Sequence, residues 1–388
     1  MGPLTGVRVV ELGMWIAGPA TGALLADWGA EVCKIESPTG DPFRHIMTSS
    51  GYAEDIPNAP FTLDNRGKLS VALDLSQQDA RSSFDDLLGT ADVFLTNLRL
   101  NALERLGLAP DRVRERHPHL VYSLITGYGS TGPDRDRPGY DAGAFGARTG
   151  IVHQMRSGEA PPVALPLGFG DHVVALAACA GICAALVQRT RGDGTGQLVE
   201  TSLFRTGIYA LGWDNAVQLM LGKVPRATER TETPTPMFNC YRAADGHWFW
   251  LLGVEADRHF PGVATAIDRP ELLDDERFAT AKARRRNRQA IIAILDDAFA
   301  AAPFAHWAEL FDTNDVWWAK VQSPAEVAAD PQALDAGAFV TVGETDVRTV
   351  ATPVDFSDHP RKSVAAPPLL GAHNDHIWSG IDGGHGGR

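Results

Sequence analysis

The first 130 residues alternate between short apolar runs and helical patterns. Residues 7–12 form an apolar run typical of a buried strand, residues 20–28 a helix rich in small residues, and residues 31–36 a second strand. Pro19 suits the start of this helix and Gly29 its end. The same order continues with predicted strands at 69–73, 93–95 and 120–126, and helices at 77–88, 102–105 and 111–116. Repeated βαβ units predict an α/β fold with a parallel sheet.

A different pattern begins after residue 227. Residues 228–236 are polar and contain two prolines, which indicates a linker. Residues 238–254 alternate as two short strands around Asp245-Gly246, a hairpin turn signal. Helical patterns follow, with a helix-start signal at Ser323-Pro324. We expect a second, smaller α+β domain here and an extended or disordered end at residues 383–388.

The longest apolar run, residues 173–187, has 15 residues. This is shorter than the ~20 needed to cross a bilayer, so the pattern predicts a core helix. The first residues carry neither the charged start nor the apolar centre of a signal peptide. Together these features lead us to expect a soluble, cytoplasmic protein without a membrane partner.

Composition limits the possible ligands of the 388-residue chain. The net charge of −13, without any basic block, argues against a nucleic-acid partner. The four cysteines fit neither a zinc pattern nor a disulfide framework, and the histidines show no metal-ligand spacing. We therefore expect no metal site.

Asp171 lies where a loop ending in Gly168-Phe-Gly170 meets the apolar helix. At a helix N-terminus, backbone N–H groups and the helix dipole favour an ionised carboxylate. The residue is therefore either an ordinary helix cap or a carboxylate presented to a substrate by a rigid element.

Gly127-Tyr-Gly-Ser-Thr-Gly132 has the spacing of a dinucleotide-binding fingerprint. That motif requires a helix next, but Pro133 and Pro138 prevent one. A glycine loop beside a ligand and a simple surface turn both remain open. Gly-x-Ser-x-Gly, the signature of a serine nucleophile, does not occur.

Several basic residues flank the carboxyl ends of the predicted early strands, which is the edge where open parallel sheets bind ligands. Each is either a contact to an anionic ligand or a solvated surface charge. They are Arg44, Arg66, Lys68, Arg99 and Arg105.

These features combine into a recognisable series of ordered motifs along nearly the whole chain. The chain resembles the family III CoA-transferases, which include formyl-CoA and carnitine CoA-transferases. The matching segments are Gly6-Val-Arg-Val-Val-Glu-Leu12, Ala17-Gly-Pro19, Lys34-Ile-Glu36, Asn65-Arg-Gly-Lys68, Asn97-Leu-Arg99, Arg137-Pro-Gly-Tyr-Asp141 and Ser323-Pro-Ala-Glu-Val327.

The resemblance implies a fold, an assembly and a reaction. It implies an interlocked homodimer with a Rossmann-like large domain from residues 1–227 and 331–388 and a small domain from 228–330. The family's catalytic aspartate precedes a helix with a glycine ten residues on, a pattern that matches Asp171 and Gly181. Asp171 is thus expected to attack an acyl-CoA, with CoA as a substrate rather than a permanently bound cofactor. The family comparison assigns the CoA contacts to Arg44, Arg66, Lys68, Asn97, Arg99 and Arg105.

One departure separates the chain from a sister group, the α-methylacyl-CoA racemases. These carry a histidine in a Gly-His-Asp motif, where this chain has Gly139-Tyr140-Asp141. A phenol titrates near 10 and replaces a histidine poorly. This favours CoA transfer, but two alternatives stay open. One is an isomerase that pairs Asp171 with Asp141 or His153, and the other is a CoA-ester-binding protein without turnover.

The acyl pocket also departs from formyl-CoA transferase, which has a glutamine where this chain has Ile16. We expect a moderately apolar acyl group, bounded by Met14, Trp15, Ile16, Trp317 and Trp318. The same tryptophans are equally explained as core residues. Backbone N–H groups of glycine turns are expected to stabilise the oxyanion. The residues expected to support the reaction are Gly18, Gly129, Tyr140 and Asp141.

Overall fold

A six-stranded parallel sheet forms the centre of the larger unit. The computed structural model describes residues 2–158, 160–224, 228–359 and 363–375; residues 383–388, expected to be extended, lie outside this range. The strands are paired in the order β3-β2-β1-β4-β5-β6, and every neighbouring pair is parallel. They are β1 (Arg8–Leu12), β2 (Glu31–Glu36), β3 (Leu69–Ala72), β4 (Val93–Thr96), β5 (Val121–Thr126) and β6 (Leu198–Ser202). The predicted parallel α/β architecture is confirmed.

Helices cover both faces of this sheet. Alternate strand residues point to opposite faces, so Val9 and Val32 pack with α1 and α8 while Val10 and Ile35 pack with α4 and α5. The helices of this part of the chain are α1 (Ala17–Asp27), α2 (Ile46–Ser49), α3 (Ala59–Asn65), α4 (Gln78–Thr90), α5 (Leu100–Leu106), α6 (Pro110–Arg116), α7 (Ile151–Met155), α8 (Phe169–Arg191), α9 (Leu203–Ala210) and α10 (Gly212–Leu221). Fully burying one aliphatic side chain contributes about 1.5–3 kcal/mol, so these two apolar layers hold the sheet in place.

Helix α8 is longer than the apolar run predicted at 173–187. Among the described residues it is the one single helix whose length and mean hydropathy, 1.8, would suit a bilayer span. However, Val174, Ala178 and Ile182 are fully buried in the layer between α8 and the sheet. A Cβ on Gly181 would lie 2.6 Å from Val199 Cγ1 of β6, so glycine permits this close approach. Helix α8 is therefore the core helix that the sequence predicts.

The second compact unit comprises residues 154–162 and 225–331. Its antiparallel sheet is built from β7 (Phe238–Arg242), β8 (Trp248–Leu252) and β9 (Trp318–Lys320), in that order. Phe249, Phe299 and Phe311 form its aromatic centre. Its helices are α11 (Ala256–Ala266), α12 (Ala281–Arg286), α13 (Arg288–Phe299), α14 (Phe304–Thr313) and α15 (Pro324–Ala329).

Of the described residues after 331, residues 332–359 and 363–375 belong to the first unit. Helix α16 (Pro331–Asp335) leads into them, and β10 (Phe339–Thr341) pairs with β11 (Arg348–Val350) as an antiparallel ribbon. The large unit is thus assembled from both ends of the chain.

A buried ionic cluster lies near the carboxyl ends of β1 and β2 and at the start of β3. Lys34 Nζ is 3.1 Å from Glu11 Oε1 and 3.0 Å from Asp41 Oδ2, and it donates to the Gly13 carbonyl at 3.1 Å. Lys68 Nζ is 2.8 Å from the other Glu11 oxygen. All four charged side chains are at most 2% exposed, so each depends on the others for compensation.

We expect Lys34→Met to lower the free energy of unfolding by about 3–5 kcal/mol, because it leaves the buried Glu11 and Asp41 carboxylates short of a partner. Urea unfolding measures this loss. Lys282→Met, at an exposed position of α12, is the matched control and should be nearly neutral. Equal losses in the two variants would contradict the compensating role of Lys34.

Candidate active site

The strand order reverses between β1 and β4, and the crevice beyond their carboxyl ends is where such sheets bind ligands. The loop after β1 contains Gly13 and Met14, and Asn97 follows β4. Asn97 Oδ1 accepts from the Met14 N–H at 3.0 Å, and Asn97 Nδ2 donates to the Met14 carbonyl at 2.7 Å. A Cβ on Gly18 would lie only 3.0 Å from Asn97 Cγ. Asn97 therefore positions the β1–α1 loop.

Trp15 occupies the left-handed backbone region, with φ 65°, which is unusual for a bulky residue and typical of functional loops. Its N–H donates to Asp41 Oδ1 at 3.2 Å, which links the loop to the buried ionic cluster. Its ring lies edge-on to Tyr140 with 6.1 Å between centroids, and it contacts Phe43 on another side. Two predicted site residues, Trp15 and Tyr140, are thus brought together.

Asp171 lies in the first turn of α8, two residues inside a helix that begins at Phe169. It is therefore not the helix cap; that position belongs to Gly168, whose φ of 76° favours glycine. A Cβ on Gly168 would lie 3.2 Å from Ile16 Cδ1, so the start of α8 contacts the β1–α1 loop. Within the described residues the Asp171 carboxylate accepts no hydrogen bond, and it is available to a ligand.

A π-helical segment, Asp141–Ala147, carries the second carboxylate of the site. A Cβ on Gly170 would lie 2.5 Å from Phe145 Cγ, so glycine lets this segment pack directly on the first turn of α8. Burial raises the pKa of Asp171 to about 7, the Asp141 carboxylate adds to the rise, and His172 opposes it. Asp171 thus titrates near neutrality.

The sequence did not predict a role for Asp64. Its buried Oδ1 lies 3.0 Å from His172 Nε2 on the helix residue next to Asp171. The hydrogen bond to Asp64 raises the pKa of His172 above its ordinary value. No spacing rule joins residues 64 and 172; only the packing of α3 beside α8 reveals the pair.

Besides Asn97, three of the five basic side chains predicted to bind CoA have partners inside the protein. Arg66 pairs with Asp27 at 2.6 Å, Arg44 with Glu36 at 2.7 Å, and Lys68 belongs to the ionic cluster. Arg99 and Arg105 are exposed and form no ion pair with any described residue. The roles of these five residues and of Asn97 as CoA contacts stay predictions.

A cavity of about 200 Å³ opens at the same edge of the sheet. The ends of β1, β2 and β3 surround it, and Leu98 and Leu106 close it from the β4 side. Arg105 precedes Leu106 in the last turn of α5 and is exposed, but it is not one of the residues that line the cavity.

The remaining predicted residues are Gly129, Trp317, Trp318 and His153. The Gly129 N–H donates to Thr126 Oγ1 at 2.9 Å, so it already has an acceptor. In the second unit, Trp317 packs on His259 and Trp318 Nε1 donates to Asp312 at 2.9 Å. His153 is exposed on α7. In the part of the chain that the structure describes, no three His, Cys, Asp or Glu side chains are arranged to hold a metal ion.

Comparison with known proteins gives consistent matches. The family model described as CoA-transferase family III matches residues 4–374. The (R)-2-hydroxy-4-methylpentanoate CoA-transferase of Clostridioides difficile is 33% identical over 97% of this chain and 95% of its own length. The cinnamoyl-CoA:phenyllactate CoA-transferase of Clostridium sporogenes is 34% identical over 85% of this chain and 80% of its own. A CaiB/BaiF family protein from Brucella suis superposes with a TM-score of 0.85 at 31% identity, covering 98% of this chain and 100% of that one.

We expect Asp141→Asn to lower the pKa of Asp171, because it removes a like charge while the amide oxygen still accepts from Ala142. The pKa should stay above its ordinary value, since burial is the larger cause. This pKa is measured by infrared titration of the carboxyl stretch, with the spectrum of Asp171→Asn subtracted to isolate the Asp171 signal. Asp86→Asn, at an exposed position of α4, is the control and should leave it unchanged. An identical Asp171 titration in Asp141→Asn and wild type would show that the Asp141 charge does not reach it.

Proposed function

The chain belongs to CoA-transferase family III, and on that premise we propose that it moves CoA from an acyl-CoA donor to a carboxylic acid through Asp171. The observation that carries the proposal is the Asp171 carboxylate in the first turn of α8, next to the β1–α1 loop. Within the described residues this carboxylate accepts no hydrogen bond. A carboxylate is a weak nucleophile, but a thioester is an activated electrophile. Held in register, the two react as an effectively unimolecular pair.

In the proposed mechanism, an Asp171 oxygen attacks the thioester carbonyl carbon and the C–S bond breaks. This gives a mixed anhydride and CoA thiolate. The thiolate attacks the Asp171 carbonyl carbon, the donor acid leaves as a carboxylate, and an aspartyl-CoA thioester forms. The acceptor carboxylate then attacks this thioester and releases the thiolate, which attacks the acceptor carbonyl and frees Asp171. Charge is conserved at each step, and no net proton transfer is required.

The side chains of the β1–α1 loop favour substrates with a moderately apolar acyl chain. Ile16 contacts the start of α8 at Gly168, Met14 and Trp15 precede it on the same loop, and Tyr140 packs against Trp15. Two relatives are named for (R)-2-hydroxy-4-methylpentanoate and for cinnamoyl-CoA and phenyllactate, which carry a branched alkyl or a phenyl group. Trp317 and Trp318 remain candidate contacts. For the oxyanion, the uncapped N-terminus of α1 at Gly18 is the better of the two glycine candidates, because the Gly129 N–H already has an acceptor.

For the CoA nucleotide, we propose the cavity at the ends of β1 to β3 together with Arg99 and Arg105. Their guanidinium groups have no internal carboxylate partner within the described residues, so they are available to phosphate oxygens. Arg44, Arg66 and Lys68 are better assigned to holding the surrounding structure, because their charges are already paired.

We also propose that the enzyme acts as a homodimer in the cytoplasm, without a permanently bound cofactor. The support for a dimer is an exposed apolar surface on α9 and α10. Tyr209, Trp213 and Leu219 are each more than four-fifths exposed there, which is costly unless another chain covers them.

A second candidate function is isomerisation of an acyl-CoA. The observation in its favour is the Asp141–Asp171 pair, in which one carboxyl titrates near neutrality and so can hold a proton. The Tyr140 position, where racemases carry a histidine, weighs against it.

We expect a hydroxamate on Asp171 after incubation with acyl-CoA donors and hydroxylamine, because hydroxylamine intercepts activated aspartyl esters. Peptide mass spectrometry locates the modification, and Asp171→Asn is the control that should give none. If Asp171 carries no hydroxamate but the α-proton of the acyl-CoA exchanges in deuterated water, the isomerase is favoured. If neither a hydroxamate nor α-proton exchange is detected with any donor, both candidate functions are contradicted.

We expect Arg105→Ala to raise KM for acyl-CoA more than it lowers kcat, because its exposed guanidinium acts on the nucleotide and not on the reacting atoms. Steady-state kinetics measure both constants. Arg112→Ala, which removes another exposed arginine from α6, is the matched control and should change neither. An unchanged KM with a collapsed kcat would overturn the assignment of Arg105.

A further inference from the structure

Four ionisable groups meet at the start of α8, and three of them are carboxylates. Asp171 and His172 belong to the helix itself, Asp141 to the π-helical segment, and Asp64 to α3. Of the described groups that act on the Asp171 carboxylate, His172 is the one that favours its ionised form, whereas Asp141 and Asp64 oppose it. Lys68 and Arg66 reach Asp64 but are engaged with Glu11 and Asp27.

Asp64 is well placed to hold the imidazole of His172. Its side chain is 3% exposed, and its Oδ1 lies 3.0 Å from His172 Nε2. The His172 side chain is 43% exposed, so it borders the open side of the site. A buried carboxylate in this position orients the ring and stabilises its protonated form.

We propose that Asp64 and His172 form a positioning dyad that keeps one positive charge beside Asp171 and thereby maintains the nucleophile in its ionised form. This inference rests on the proposed function only for its effect on turnover. The charge is needed because the reaction brings a further anion, the acceptor carboxylate, to a site that already has three carboxyl groups. An imidazolium can offset this repulsion without forming a covalent bond to any reactant.

The dyad has a clear consequence for the pH profile. Asp171 attacks only when ionised, so kcat/KM rises with pH through the Asp171 pKa. Without the positive charge this pKa is higher, and the acid limb moves toward alkaline pH. On the acid limb, kcat/KM falls about tenfold for each unit of that movement, whereas the alkaline plateau is retained.

The test compares His172→Asn with His172→Lys. The first removes the charge, and the second keeps a cation within reach of Asp64. We expect the acid limb of kcat/KM to move to higher pH in His172→Asn and to stay near that of the wild type in His172→Lys. His306→Asn, at an exposed histidine of the second unit, should not move the profile.

Two further measurements keep the outcomes separate. Infrared titration of the Asp171 carboxyl reports its pKa even if no acyl-CoA is turned over, so a failure of the proposed function leaves the dyad testable. Thermal unfolding reports any loss of stability. If His172→Asn lowers kcat/KM equally at every pH and leaves the Asp171 titration unchanged, His172 merely holds α8 against α3 and the inference is overturned.

Discussion

The region of the candidate site depends on the pairing of buried charges near the carboxyl ends of β1 and β2 and at the start of β3. Lys34 joins Glu11, Asp41 and the Gly13 carbonyl, so a single ammonium group connects β1, β2 and the loop that follows β2. Asp41 in turn accepts from the Trp15 N–H and holds that residue at positive φ. None of these charges is stable alone in the interior, which makes the arrangement cooperative.

Through Lys68 the same cluster extends toward the start of α8, which carries the proposed nucleophile. Its ammonium group donates to the carbonyls of Pro19 in α1 and Asp64 in α3, and so ties the two helices together. Burial lowers the pKa of Lys68 to about 8, although Glu11 opposes the shift. The Asp64 side chain points the other way, to His172 on α8. A path of direct contacts thus runs from the sheet edge to the residue beside Asp171.

Much of the larger unit could be predicted from the sequence because its strands are nearly continuous apolar runs and its turns contain glycine or proline. The strand predicted at 31–36 matches β2, and the helix predicted at 77–88 differs from α4 by one or two residues at each end. Helix α8 begins at Phe169, before the apolar run at 173–187 that predicts it, because Gly168 and Phe169 do not resemble a helix cap in sequence. The inclusion of residues 154–162 in the second unit depends on long-range packing that no local pattern records.

The site was predicted less completely for a related reason. Arg66 and Lys68 have the sequence pattern of ligand contacts. However, the sequence around a basic residue does not reveal whether the fold pairs its side chain with a carboxylate. Asp27, 39 positions before Arg66, was not recognisable as its partner. Conversely, nothing in the sequence around Asp64 marks it as a site residue, because its contact with His172 joins positions that are far apart in the chain. Pairing between distant positions decides which charges remain for a ligand, and it is fixed by the fold rather than by spacing.

The environment of Asp171 reconciles two opposing requirements. A carboxylate attacks a thioester better when water is excluded, because each hydrogen bond to solvent stabilises the ground state. Exclusion of water also favours the neutral acid, and the nearby Asp141 adds to this effect. A fixed arginine beside Asp171 would secure the charge, but it would hydrogen-bond the attacking oxygens. An imidazolium held by Asp64 supplies a positive charge, while its Nε2–H donates to Asp64 and not to the proposed nucleophile. This explains why the group next to Asp171 is a histidine with its own buried partner.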